Sequence, residues 1–301
     1  MKKQKTPVRV IQHATVPIES KELKTITRFI LSRIRAEKII CFGSIVNDMK
    51  NTSCFLPEEH LVTSKQNSYY LLIVPSAGEQ VPDILLQQRL EEGVKTIASV
   101  TVIVHRMKEI NTALENGSSF FSALYKKGVL LHDNEAEPFT VPVSETNISK
   151  HIVKREKFWD HWYLLSENFL KGANFYYEKQ SNNLAVFMLH QSLQHCYSGM
   201  LRVLTGYRSN SNSLRRLLKL VDNVLPESSF SALKQTPENA RLSGLLMKGF
   251  SDARYNDKFE VTNGELVTMI GRIEKILQQA NITCLAHLKN LKEGKKSYTI
   301  A

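Results

Sequence analysis

From Lys21 to Ala36, Leu23, Ile26, Phe29, Ile30 and Ile34 recur at helical spacing, and Ser20 stands before them as an N-cap. The run Lys38-Ile39-Ile40-Cys41-Phe42, stopped by Gly43-Ser44, predicts a buried strand. Tyr69 to Val74 predicts a second strand, closed by Pro75-Ser76-Ala77-Gly78, and the β-branched stretch Ser99 to His105 a third. Between them, Pro82 to Ala98 carries an apolar stripe of Ile84, Leu85, Leu90 and Val94 at helical period. Short helices are expected around Met107–Leu114 and Ser118–Lys126, then a last short strand from Gly128 to Leu131. Helices interleaved with apolar strands predict a mixed α/β domain over residues 1–134.

Residues 135–148 contain two prolines and no helical period, which marks a linker. Beyond it the pattern is helical throughout. Helices are expected at His151–Glu178, Asn182–Thr205, Ser213–Val224, Asn239–Ser251 and Asn263–Ala280, punctuated by Gly206, Pro226, Pro237 and Gly264. This predicts an all-α bundle over 149–285, followed by a frayed basic tail at 286–301. The fold class expected is thus α+β in two domains.

Charge divides along the same line. The 301 residues carry a net +11, but residues 1–148 hold 18 Lys+Arg against 16 Asp+Glu, while 149–301 hold 22 against 13. A basic second half suggests an anionic partner such as nucleic acid or nucleotide; a solvated positive surface accounts for the same excess equally well. No stretch of 18 consecutive apolar residues is present, so no transmembrane helix is expected, and the basic start lacks the apolar run of a secretory signal. Cys41, Cys54, Cys196 and Cys284 form no CxxC pair. That argues against a disulfide scaffold or zinc ribbon and fits a reducing cytoplasm.

Phe42-Gly43-Ser44 after a strand, with a second apolar strand to follow, resembles the nucleotidyltransferase superfamily. The resemblance implies a Gly-Ser turn that opens a helix and cradles nucleotide phosphates, making Gly43 and Ser44 candidate ligands. It also implies two acids at alternate positions of the next strand and a third on a neighbour, converging on Mg²⁺. Here those alternate positions hold Ser68 and Tyr70, and Ser99 to His105 contains no Asp or Glu. Asp48, Glu58 and Glu59, in the 23-residue stretch Ile45 to Asn67, are the remaining acids that could approach a metal. The frame without its acids reads as a degenerate nucleotidyltransferase-like domain, with no metal and no cofactor expected.

Residues from about 151 to 280 resemble a HEPN domain. Asn183 to Gln191 is similar to its second-helix signature, ending in His190-Gln191. Leu214-Arg215-Arg216-Leu217-Leu218 is similar to its short third helix, with Asn212 where the family often has histidine. Asp252-Ala253-Arg254-Tyr255 resembles a late motif of the family. The resemblance makes His190, Gln191, Arg215, Arg216, Asp252, Arg254 and Tyr255 candidate nucleotide-binding residues. It implies nucleotide or RNA as ligand and a homodimer formed through the helical half. Many members are metal-independent ribonucleases with arginine and histidine four to six residues apart. After Arg254 the histidine positions hold Phe259, Glu260 and Val261; Arg155 and His161 have the spacing but sit in the first helix. No catalytic residue is therefore assigned.

His190 and His195, five apart on one helix, point well away from each other and make no two-histidine metal face. His195 is expected at the surface. An alternative for Arg254 is a structural bridge to Asp252 or Glu265. Phe158, Trp159, Trp162, Phe169, Phe175, Tyr176 and Tyr177 crowd the first helix too densely for one face, so a second chain or a thick intramolecular contact must cover some of them. The expected function is nucleotide or RNA binding without nucleotidyl transfer, in a setting such as stress, defence or a toxin–antitoxin-like system. The alternatives are a ribonuclease or nucleotidyltransferase with a relocated catalytic set, and a dimerisation or scaffold module.

Overall fold

A computed structural model describes residues 20–46, 50–53, 67–143, 148–225 and 237–295. Asp48, Cys54, Glu58, Glu59 and Pro226 lie outside the described residues. The chain divides into two compact units, Met1–Ser144 and Glu145–Ala301.

The first unit is built on a five-stranded sheet. Strand β1 (Ala36–Val46) is long enough to hold three partners. On one side it pairs antiparallel with β3 (Ser68–Pro75). Its other side is shared: β5 (Val129–Asp133) covers Lys38 to Cys41, and β2 (Lys50–Ser53) covers Gly43 to Val46. Strand β4 (Ser99–Val104) runs parallel to β3 and ends the order β2-β1-β3-β4. Its open edge is partly satisfied by Glu91, whose carboxylate accepts from Val102 N at 2.7 Å.

Alternation sends Ile39 and Cys41, Tyr69, Leu71 and Ile73, and Val100, Val102 and Val104 to one face. There they form one core with Leu23, Ile26 and Ile30 of α1 (Lys21–Arg33) and Leu86 and Leu90 of α2 (Asp83–Gly93). Ser20 caps α1 as the sequence implies, its Oγ accepting from Leu23 N. On the opposite face Phe42 meets Tyr70 and Phe120, each with ring centroids 6.1 Å apart. Phe120 belongs to α4 (Ser119–Lys127), which packs with α3 (Met107–Glu115).

The expected Gly-Ser turn is corrected here. Gly43 and Ser44 lie inside β1 and open no helix. Gly43 sits between Ser53 and Tyr70, and Ser44 between Thr52 and Tyr69, so both sides of the strand are paired at this point. Ser44 is 1% exposed. Backbone groups engaged in two ladders cannot cradle a phosphate. Tyr70, at one of the expected acid positions, is core. The front of the expected linker is also held to this unit: Asn111 donates to Glu137 Oε1 and accepts from Thr140 N, and Tyr125 meets Phe139 edge-on.

The second unit is helical. Helices α5 (Ile148–Glu178) and α6 (Asn182–Thr205) form an antiparallel hairpin, and α10 (Asn263–Lys292) packs against both. Between them come α7 (Leu214–Asp222), α8 (Pro237–Lys248) and the single turn α9 (Asp252–Tyr255). Gly206, at φ 83°, ends α6 in the left-handed conformation that glycine adopts at least cost. A Thr262–Glu265 capping box starts α10. That helix does not stop at Ala280. Its buried stripe continues through Cys284, His287 and Leu288, so the expected basic tail begins as ordered helix.

The aromatics of α5 are largely covered within the unit. Trp159 is 1% exposed, and its indole Nε1 donates to Asn281 Oδ1 at 2.9 Å. His195 is not a surface residue: its ring lies 5.0 Å from both Trp162 and Phe169, and its Nδ1 donates to Gln191 O. Cys41, Cys196 and Cys284 are free and buried, and burial pushes the thiols of Cys41 and Cys196 up to about 12. No helix among the described residues is long and apolar enough to cross a membrane.

Candidate functional site

A recess of about 400 Å³ opens on the helical unit, lined by His190 of α6, Asn212 to Arg215 at the start of α7, and Met247, Lys248, Phe250 and Ser251. The sequence makes this recess through two breaks in helix. Asn212 and Ser213 lead into α7, whose N-cap Ser213 makes no side-chain capping bond. Its first-turn N–H groups carry the positive end of the helix dipole. The second break follows Lys248, where the expected helix Asn239–Ser251 instead ends. Gly249 is needed there: a Cβ would sit 3.0 Å from Val186 Cγ1 and 3.1 Å from Val186 O. The turn thereby lies directly on α6.

His190 is locked by that approach. It is 3% exposed, and Nδ1 is 2.9 Å from Leu246 O. A carbonyl only accepts, so Nδ1 carries the proton and Nε2 presents a lone pair, which has no hydrogen-bond partner among the described residues. Burial lowers the pKa of His190; the Leu246 carbonyl opposes this and the nearby Arg254 cation adds to it. The imidazole is therefore neutral at pH 7.

Phe250 joins the recess to Arg254. The guanidinium lies 4.2 Å from the Phe250 ring centroid, 4.8 Å from Tyr255 and 5.1 Å from Phe187. Its Nε donates to Phe250 O at 2.7 Å. Among the described residues Arg254 makes no ion pair. Glu265, one expected partner, is engaged by Arg241, and Asp252, the other, accepts from Ser251 Oγ at 2.8 Å. Arg254 is thus presented on a ring cluster at the surface beside Tyr255, which is 78% exposed.

Of the expected site residues, His190 and Arg215 line one recess, with Arg254 joined to it through Phe250 and Tyr255 through Arg254. Arg216 and Gln191, each one residue further along its helix, turn about 100° away and do not line it. Asp252 closes its own short turn. Gly43 and Ser44 belong to the other unit. The helical period runs straight through Gly249 and so does not single out Lys248 and Phe250, while Ser213 enters it only as the start of a helix. The Lys-Gly-Phe-Ser sequence there was the available signal. Arg155 and His161, six residues apart on continuous α5, point about 120° apart. Arg155 reaches Val203 O at 3.0 Å instead. No group of three or more His, Cys, Asp or Glu converges among the described residues.

No curated protein matches the chain. Residues 159–282 match the HEPN domain family model, a span that runs from Trp159 in α5 through the recess into α10. The second unit of this chain therefore carries a HEPN domain, at residues 159–282.

Proposed function

We propose that the helical unit binds a nucleotide or RNA, with phosphate in the recess and a base on the exposed aromatic face beside it. The observation that carries this reading is the lining: two cations, Arg215 and Lys248, and a helix start, with no carboxylate among the lining residues. Phosphate gains charge-assisted hydrogen bonds from such a set. Tyr255 offers a stacking surface, and Arg254 is held over rings with no acid paired to it among the described residues. The HEPN match supports the same direction, since HEPN domains are generally nucleotide- or RNA-related.

Titration with ATP and a short single-stranded RNA at low salt tests it. Arg254→Ala should weaken binding by about 1–3 kcal/mol, and Arg215→Ala with Lys248→Ala by at least as much. Arg254→Lys should restore only part, because lysine lacks the planar fork. Thermal melts of these variants should stay near wild type. Absence of saturable binding by the wild type would refute the reading.

The α/β unit, in this proposal, does not transfer nucleotides. Labelled ATP with Mg²⁺ or Mn²⁺ should leave protein and RNA unlabelled, and robust labelling would reverse that conclusion.

The helical unit is also proposed to form a homodimer. Val153, Leu164 and Phe175 are about half exposed and recur every 11 residues along α5, which places them on one stripe. Light scattering should give about twice 34.3 kDa, falling towards the monomer in Leu164→Glu. A monomeric wild type at high micromolar concentration would exclude the dimer.

A further inference from the structure

A second group of cations gathers where α5 begins and α6 and α10 end. Its framework is specific. Arg155 Nη1 donates to Val203 O, Lys292 pairs with Glu156, and Arg202 Nη1 donates to Gly206 O at 2.7 Å. The Arg202 guanidinium also lies 6.0 Å from the Phe158 ring centroid. Arg155 and Arg202 thereby cap carbonyls at the end of α6, where the helix dipole favours positive charge.

Capping does not account for the rest of the cluster. Lys154 stands one turn before Phe158, the ring that Arg202 approaches, and Arg208 follows Gly206, the carbonyl that Arg202 binds, by two residues. His151, one turn before Arg155, is within electrostatic reach of Arg155, Lys154 and Arg202, and Arg202 within reach of Arg208. Lys154 and Arg208 are exposed, Glu156 is already engaged, and among the described residues Lys154, Arg202 and Arg208 form no ion pair. Burial, then the neighbouring cations, push both His151 and Arg202 down from their ordinary pKa values. The corner carries like charge held together by the ends of two helices, at a cost in repulsion that a multivalent anion would relieve.

We propose that His151, Lys154, Arg202 and Arg208 form a second phosphate-binding site, separate from the recess. Arg202 lies twelve residues from His190 on α6, about 18 Å along the helix axis. The donors come from α5, from the last turn of α6 and from the segment after it. Approach from several directions suits a tetrahedral oxyanion better than a planar carboxylate, and arginine's fork matches phosphate oxygens. The proposal does not depend on the recess.

Thermal melts of the full chain at constant ionic strength decide it. The probes are inorganic pyrophosphate, a single-stranded oligouridylate and polyglutamate. Pyrophosphate near saturation should raise the wild-type Tm by about 5 °C. The rise should persist in Arg215→Gln/Lys248→Gln, which lacks the recess cations, and vanish in the corner variant that adds Lys154→Gln/Arg208→Gln to that pair. Without anion, the latter variant should melt at or above wild type, because repulsion has been removed. Stabilisation by oligouridylate as well as pyrophosphate identifies an RNA backbone as a source; stabilisation by pyrophosphate alone identifies a free phosphate. The proposal fails if pyrophosphate has no effect on wild type or if the corner variant keeps the rise. It also fails if polyglutamate stabilises as strongly, or if the corner variant melts lower without anion.

Discussion

Replacing Trp159 with alanine should cost the helical unit about 3–5 kcal/mol, the range for emptying a large aromatic site in a packed core. The indole is 1% exposed and sits where α5, α6 and α10 meet. Gly199 of α6 allows that approach: a Cβ at 199 would stand 3.1 Å from the Trp159 ring. Truncation also removes the donor to Asn281 Oδ1, leaving that acceptor without its partner. Trp159→Phe should recover much of the packing but not the hydrogen bond. Ile282→Ala, at a site 62% exposed, should change stability by no more than about 0.5 kcal/mol. Denaturant midpoints measured for the three variants check the set. Equal losses in Trp159→Ala and Ile282→Ala would contradict the packing described.

Acidification should destabilise the same unit by about 3 kcal/mol between pH 6.5 and pH 4. His287 of α10 is 5% exposed, and its pKa is pushed down to about 4. Burial is the main cause and the Arg155 cation the second, with the Val203 carbonyl acting in the opposite direction. In the unfolded chain the imidazole takes up a proton near pH 6.5, whereas the folded chain refuses it until about pH 4. Across that window the unfolded state binds more protons, so stability falls as pH falls. His190, lowered mainly by burial, acts in the same sense. Denaturant unfolding at a series of pH values should show the slope, and His287→Gln should flatten it. An unchanged acid loss in that variant would assign the effect elsewhere.

The helical half was legible because its apolar positions recur at a period that one helix can bury on one face. Helix α6 occupies Asn182–Thr205, the span its pattern predicts, with Gly206 ending it. The resemblance carried by Asn183–Gln191 and Asp252–Tyr255 falls within the residues that match the HEPN model. The α/β half was read less well at one decisive point. Gly43-Ser44 has the composition of a turn, but β2 and β3 pair with it from both sides and keep it extended. A dipeptide reports its own conformational freedom and not the strands that will flank it.

Local chemistry in the sequence thus determined the order of elements apart from β2 and α9, the basic character of the second half and the residues of the late Asp-Ala-Arg-Tyr motif. Only the tertiary structure decided which of them meet. It brought Lys248 to Arg215 across 33 positions of chain through the turn at Gly249, and it turned Arg216 and Gln191 away. It placed Arg254 on Phe250 and Phe187 rather than on an acid. The physical reason is that periodicity specifies which face of an element is apolar, whereas the partner of a polar side chain depends on how close two backbones come. Here that approach is permitted by single glycines at 199 and 249, whose neighbours are distant in sequence.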